Sequence, residues 1–474
     1  MKSYTLNQIL EGTGGELSRP VPDREIELEL ERDSRMIPRK SGLYIALSGE
    51  THDGHQFVES AINNGAVAAI VSREWASQHP EIPIPLILVD DPGKALQRWA
   101  AWRRKHLNAK VIGITGSIGK TSAKESIAAV LSQRYNVFRS PGNFNNEVGL
   151  PLSLLDCPDD AEIIVLEMGG AYAFGELSLL ADIAKPDVGV VTNVHPVHLE
   201  RMGTIDNIAK TKAELVEAIP PNGFVVLNHD DVRVRSMSTV ASAPVITYGI
   251  DGPADIYAHD VQSQGLKGIT FWVNIKGKES FLTVPFVGSP GIYIAVVAIA
   301  VGHGFGMDIA EIQGGLQDEN TQVRLLLVEG PRSSRLIDDT YNASTPSVIA
   351  ALNLLRELPG KRRIAVLGEM REMGSETEHG HRIVGGRAGE VVDMLVTFGE
   401  LTDISIASAK ETAAALGRAL TVVRFGSDQR EELTSFLLEE LDEGDMVLLK
   451  GANGLHMETI VQALRTEIGG GVTS

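Results

Sequence analysis

Residues 111–121, VIGITGSIGKT, constrain this 474-residue chain more than any other stretch. Val111 to Thr115 is a β-branched apolar run with the length and composition of a buried strand. It runs into Gly116-Ser117-Ile118-Gly119-Lys120-Thr121, and a helical pattern follows from Ser122 to Ser132. Strand, glycine-rich turn and helix in that order aim backbone N–H groups at a helix N-terminus, where they cradle phosphates. Lys120 then reaches the outer phosphates and the Thr121 hydroxyl holds Mg²⁺. The expectation is an enzyme that uses a nucleoside triphosphate. The spacing is unusual, because Gly116 and Gly119 have two residues between them instead of four. An ordinary glycine-rich turn is the competing reading.

The chain is too long for one core, and its sequence divides into three α/β stretches. Residues 1–107 carry strands at 42–47 and 66–71 and a helix at 56–64, and end in the basic run around Arg103, Arg104 and Lys105. Residues 108–320 alternate strands (111–115, 162–167, 187–192, 223–227) with helices (122–132, 175–184, 205–218). That is the grammar of a mostly parallel sheet covered by helices. Within this stretch, 254–287 read as antiparallel strands and 292–303 as an amphipathic helix. Residues 321–474 repeat the α/β pattern, with strands at 335–338, 363–367, 393–398, 421–425 and 446–449 and helices that include 346–357 and 429–441. The fold class is therefore α/β, with a small N-terminal domain, a central phosphate-loop sheet and a C-terminal Rossmann-like domain.

A net charge of −19 argues against nucleic acid and against an anionic membrane surface as partners, so an anionic substrate must meet local cations. No apolar run is long enough to span a bilayer, and the N-terminus lacks a signal-peptide core. A cytoplasmic enzyme is expected. Cys157, the single cysteine, reads as a structural thiol.

Several residues stand where parallel strands end, the usual edge of a ligand crevice. Glu167 closes the strand IIVLE and is either a metal carboxylate or a solvated strand-end glutamate. His195 and His198 follow the next strand, and are either ligands or structural histidines. Asp339 and Asn342 lie in Asp338-Asp339-Thr340-Tyr341-Asn342, which is either a site or an Asx-type turn. Asn145 and Asn146 sit in an amide-rich loop, 141–151, suited to a polar substrate or to a plain turn. By their residues alone, Lys210 and Lys212 read as solvated helix lysines, and Arg324 as a surface arginine at a domain junction.

Taken together, TGSIGKT, NFNNEVGLP, VLEMGG, TNV…HLE, IAKTKAEL, LNHDD, DDTYNA and VLGEMREMG resemble the Mur ligase family of ATP-dependent amide-bond-forming enzymes. The resemblance covers nearly the whole chain and includes the short phosphate loop. It implies addition of D-alanyl-D-alanine to UDP-N-acetylmuramoyl-tripeptide through an acyl phosphate, with ATP and Mg²⁺, by a monomer. It implies that residues 1–107 bind the UDP-sugar through Ser34, Arg35, Asp53 and His55. Residues 108–320 would bind ATP through Gly116, Ser117, Gly119, Lys120 and Thr121, and residues 321–474 the dipeptide and ATP. Arg324 and Asp339 match positions contributed to ATP, and Asn145, Asn146 and Asn342 fall in motifs tied to substrate. Thr121, Glu167, His198 and Lys212 would serve the metal cluster, Lys212 as a carbamate, and with Lys120 the last three form the catalytic group. Another acceptor, or a non-catalytic relative that binds a UDP-sugar peptide, are the alternatives. The chain departs from the family pattern at Pro290, Gly291 and Ile294, where amides that contact adenine are frequent. It departs again at Ala452-Asn453, in place of Ser-Arg.

Overall fold

Each of the three stretches builds its own sheet. The structure, a computed structural model, describes residues 2–22, 25–38, 41–49, 52–170, 173–197, 199–286, 288–318 and 326–465. The first sheet contains β1 (Ser3–Thr5), β2 (Glu16–Leu17), β3 (Glu27–Glu31), β4 (Gly42–Ile45), β5 (Ala66–Ser72) and β6 (Leu86–Val89), in the order β1-β3-β4-β5-β6-β2. Its centre is parallel and its two edge strands are antiparallel.

The second sheet has nine strands. They are β7 (Lys110–Thr115), β8 (Val137–Arg139), β9 (Ile163–Glu167), β10 (Val188–Val191), β11 (Phe224–Asn228), β12 (Val245–Ile250), β13 (Ile256–Ser263), β14 (Ile269–Ile275) and β15 (Lys278–Val284). The order is β15-β14-β13-β12-β11-β10-β7-β9-β8. The chain leaves β7 to one side for β8 and β9 and then crosses to β10 on the other. The carboxyl end of β7 is thus a switch point, where an open α/β sheet leaves a crevice. The stretch 254–287 is antiparallel within β13, β14 and β15, as its composition predicts, but β13 joins β12 in parallel.

The third sheet is β16 (Leu326–Glu329), β17 (Arg335–Asp338), β18 (Arg363–Gly368), β19 (Met394–Phe398), β20 (Thr421–Phe425) and β21 (Met446–Lys450), ordered β16-β17-β21-β18-β19-β20. Only β16 is antiparallel to its neighbour. The α/β architecture expected from the sequence is the one observed.

The first two sheets share a core. The helix Pro92–Lys105 buries Trp99 completely, and Tyr4 meets Trp99 edge to face at 5.0 Å. Arg103 on the same helix donates to the Cys157 carbonyl at 2.6 Å. Burial pushes the Cys157 thiol up to about 12, so it stays protonated, as a structural thiol does. One continuous apolar cluster runs from Tyr4 and Trp99 through Leu150 and Leu166 to Leu215.

One local reading changes. The loop 141–151 ends early, because Gly149–Asp156 is a helix with Pro151 in its first turn, where proline is tolerated. The helix Thr377–Val391 is not legible as a good helix former, since it holds Gly380, Gly385, Gly386 and Gly389. A Cβ on Gly385 would lie 2.2 Å from the Ser405 carbonyl, and one on Gly389 would lie 2.4 Å from that of Ala409. These glycines let the helix approach Thr402–Ala415 at backbone contact.

Candidate active site

Two loops build the floor of the crevice, one after β7 and one after β10. Gly116 has φ +150° and Gly119, which precedes the helix Lys120–Leu131, has φ +80°. The amides of Ser117 and Ile118 donate to the Asn193 carbonyl at 3.0 Å and to its Oδ1 at 2.9 Å. Thr192 Oγ1 donates to the Ile118 carbonyl at 2.9 Å. Ser117 Oγ accepts from the His195 amide at 2.9 Å and donates to its carbonyl at 3.1 Å. The loop after β10 thus clamps the loop after β7. Asn193 is its principal fastener, a role that its place in the run after β10 does not reveal in the sequence. His195 is half-buried, and desolvation lowers its proton affinity against the opposing charge of Asp231.

A Cβ on Gly116 would sit 1.9 Å from Thr192 Oγ1, and its φ favours glycine in any case. Gly116→Ala is therefore expected to lower stability by about 2 kcal/mol through strain and clash. It should also weaken nucleotide binding. Thermal unfolding and an ATP titration of the same variant check both.

Beneath the loop, Thr121 Oγ1 donates to Glu167 Oε2 at 2.5 Å. Asn145 Nδ2 donates to Glu167 Oε1 at 2.8 Å, and Ser140 Oγ accepts from the Glu167 amide at 3.2 Å. Glu167 is 2% exposed, so the solvated strand-end reading is wrong. Its strand β9 lies beside β7 with Ile114 opposite Glu167, which brings the carboxylate under the phosphate loop. A hydroxyl and one carboxylate, both hard oxygen donors, fit Mg²⁺, which usually takes one or two carboxylates plus nucleotide phosphates and water. No group of three or more His, Cys, Asp or Glu suited to a metal occurs among the described residues.

Lys212 overturns its surface reading as well. Lys210 is exposed, but Lys212, on the inner side of the helix Ile205–Ala218, is 1% exposed and its Nζ lies 3.4 Å from the Gly170 carbonyl. Burial first, then the charge of Lys120, lower its proton affinity to about 7 against the pull of Glu176. The Lys120 Nζ itself donates to the carbonyls of Gly116 at 2.9 Å and Ser117 at 3.4 Å.

These elements surround a cavity of about 290 Å³. Gly116, Ser117 and Lys120 line it from the phosphate loop, Asn145 and Asn146 from the amide-rich loop, and Glu176 from the helix after β9. Asn146 Oδ1 also accepts from the Gly149 amide at 2.8 Å, which fixes the start of the following helix.

The other expected site residues fall into two further groups. Asp339 Oδ2 accepts from Lys450 Nζ at 2.6 Å, and Lys450, 2% exposed, also donates to the Asn342 carbonyl at 2.9 Å. This cluster joins the carboxyl ends of β17 and β21 and does not line the cavity. In the first unit, Arg35 pairs with both oxygens of Asp33, whose carboxyl falls to about 2. Ser34 is buried and its carbonyl accepts from Asn64 Nδ2 at 2.8 Å. Asp53 Oδ1 accepts from His55 Nδ1 at 2.7 Å, and His55 Nε2 accepts from the Ser72 amide at 3.0 Å, so both ring nitrogens are engaged within the fold. Burial, followed by the charges of Asp33 and Asp53, pushes the Tyr44 phenol up to about 12, which places the two motifs side by side. His198 and Arg324 lie outside the described residues, and so does the side chain of Pro290. Gly291 and Ile294 lie in the helix Gly288–Gly304, beside Tyr293, whose hydroxyl donates to Asp230 at 2.9 Å.

Comparison with known proteins agrees with this geometry. The Mur ligase middle-domain profile matches residues 114–302, the Mur ligase glutamate ligase domain matches 323–453, and the Mur ligase family catalytic domain matches 31–104. The chain belongs to the Mur ligase family. As such it is an ATP-dependent ligase. It is 34% identical to the UDP-N-acetylmuramoyl-tripeptide–D-alanyl-D-alanine ligase of Bacillus subtilis, over 98% of this chain and 99% of that one. It is 31% identical to the Escherichia coli protein of the same name, over 98% and 99%. Among solved structures, MurF from Acinetobacter baumannii superposes with a TM-score of 0.84 at 26% identity, covering 98% of this Mur ligase and 99% of that chain. MurF from Thermotoga maritima in complex with ADP gives 0.75 at 26% identity, covering 92% and 97%.

Proposed function

We propose that this Mur ligase joins D-alanyl-D-alanine to UDP-N-acetylmuramoyl-tripeptide in peptidoglycan precursor synthesis, in the cytoplasm, at the expense of ATP. The observation that carries the reading is the convergence of Lys120, Thr121–Glu167 and Lys212 on one crevice at the carboxyl end of β7. A pure binding protein needs no such combination. The names of the full-length relatives support the choice of substrates.

In this reading the tripeptide carboxylate attacks the γ-phosphorus, ADP leaves, and an acyl phosphate forms. The dipeptide amine then attacks the acyl carbon, and inorganic phosphate departs as the amide bond closes. Charge grows on the transferring phosphoryl oxygens, and Lys120 with the loop amides stabilises it. Thr121 and Glu167 would hold Mg²⁺, which would neutralise nucleotide phosphate charge, and His198 and a carbamylated Lys212 would serve the same metal. Asn145 orients Glu167. Residues 1–107 take the UDP-sugar through Ser34, Arg35, Asp53 and His55. Residues 108–320 take ATP. Residues 321–474 bring Arg324, Asp339 and Asn342 to the nucleotide and dipeptide.

Phosphate release measured with each substrate alone and with both tests the proposal. Release that requires tripeptide and dipeptide together is the expected result. Release with the tripeptide and a different amine would assign another acceptor, and no release at all would make the chain a binding relative. Glu167→Gln preserves shape but removes the charge. Its expected effect is a magnesium requirement raised by about tenfold, the lower end of what loss of a partner at a metal site costs. A MgCl₂ titration of turnover reads it directly.

A further inference from the structure

Arg32 is a second cation at the cavity. It follows β3 in the first unit, and its guanidinium lies 5.0 Å from the centroid of the Phe144 ring in the loop between β8 and the helix Gly149–Asp156 of the second. It lines the same cavity as Lys120, and these two are the basic residues among the described residues that do so. The cavity thus has one cation on each of two walls, supplied by two different units of the fold. In a chain of net charge −19, such local cations decide where an anion can rest.

The platform under Arg32 is rigid. Lys124, fully buried, donates to the carbonyls of Ser140 at 2.6 Å and Gly142 at 2.9 Å. The backbone of Phe144 packs so closely on Gly149 that a Cβ there would lie 2.7 Å from the Phe144 Cα. A guanidinium set over a ring face can still offer its N–H fork to an oxyanion. Lys120 is committed to the phosphate side, so a second cation across the same cavity has a separate task.

We infer that Arg32 is an oxyanion anchor for the acid substrate, gripping a second anionic group of the molecule whose carboxylate is phosphorylated beside Lys120. The inference rests on the ligase reading above. That second group is a carboxylate of the peptide or an oxygen of the pyrophosphate, both of which suit a guanidinium fork.

Calorimetric titration of UDP-N-acetylmuramoyl-tripeptide into the full-length protein, its Arg32→Ala and Arg32→Lys variants and Phe144→Leu tests it, with ATP titrated in parallel. Arg32→Ala should weaken the acid substrate by about tenfold, the effect of losing one charge-assisted contact at an exposed site. Lysine should restore part of the affinity, Phe144→Leu should cost less than Arg32→Ala, and ATP binding should not move. Repeating the titration without the UDP group, and with tripeptides that carry either 2,6-diaminopimelate or lysine as third residue, locates the oxyanion. An Arg32 effect that vanishes without UDP places it on the pyrophosphate. One that vanishes with lysine places it on the diaminopimelate side chain, and one that persists in both places it on a carboxylate common to all three ligands. Equal affinity in wild type and Arg32→Ala overturns the inference, as does an equal loss for ATP. A wild-type protein that binds the tripeptide but does not ligate the dipeptide would overturn the acceptor assignment and leave the Arg32 result to stand or fall by itself.

Discussion

Lys120→Ala is expected to lower ligation by about a hundredfold or more while leaving the fold intact, the scale of losing one preorganised transition-state contact. The side chain begins the helix Lys120–Leu131, and its Nζ folds back onto the carbonyls of Gly116 and Ser117. It therefore belongs to the phosphate loop and not to a core. Its charge matters most when negative charge is spread over transferring phosphoryl oxygens, so the loss should fall on kcat more than on substrate affinity. In its absence the two carbonyls are left to water, and stability should change by no more than about 1 kcal/mol. Steady-state phosphate release and thermal unfolding of the same preparation separate the effects. Near-normal turnover would remove Lys120 from contact with phosphate.

Lys212→Ala is expected to abolish most activity, and short carboxylates such as acetate should restore part of it. An unmodified ammonium beside Lys120 adds positive charge to a site that must also accept a metal ion. Burial and that neighbouring charge already hold the amine near its neutral form, at about 7, which is the form that takes up carbon dioxide. As a carbamate the side chain becomes an anion with two oxygens, the donor type Mg²⁺ prefers. Alanine leaves a space close to the Gly170 carbonyl that a small carboxylate can enter. Because a buried ammonium next to a second cation opposes folding, its removal should not unfold the chain. Acetate titration of the variant, with unfolding temperature as control, is decisive. Full activity without acetate, or a map with nucleotide and metal bound that shows a bare lysine amine, would end the carbamate reading.

The three α/β stretches and most of their strands were legible because apolar runs and the turns between them are local properties. The strand at 335–338 coincides with β17, and the helix at 205–218 with the observed one. Short edge strands such as β1 and β2 were not, since a run of two or three residues carries too little pattern to mark it as paired. The purpose of the glycines in Thr377–Val391 is not local either, since it lies in the close approach of the neighbouring helix.

At the site, the sequence by itself determined the chemistry on offer. The turn from Gly116 to Thr121 needs only its own glycines and the flanking strand and helix to present amides, an ammonium and a hydroxyl. Only the tertiary structure decided what surrounds them. Lys212 read as a surface residue and Glu167 stayed open between a metal carboxylate and a solvated strand end, because charged side chains are usually exposed and burial cannot be seen along one dimension. The crossing of the chain from β9 to β10 around β7 placed the carboxylate beneath the loop and sealed the lysine against Gly170. Desolvation and the nearness of a second cation then lowered the proton affinity of that lysine. Those forces depend on distances between residues far apart in sequence, and so they exist only once the chain has folded.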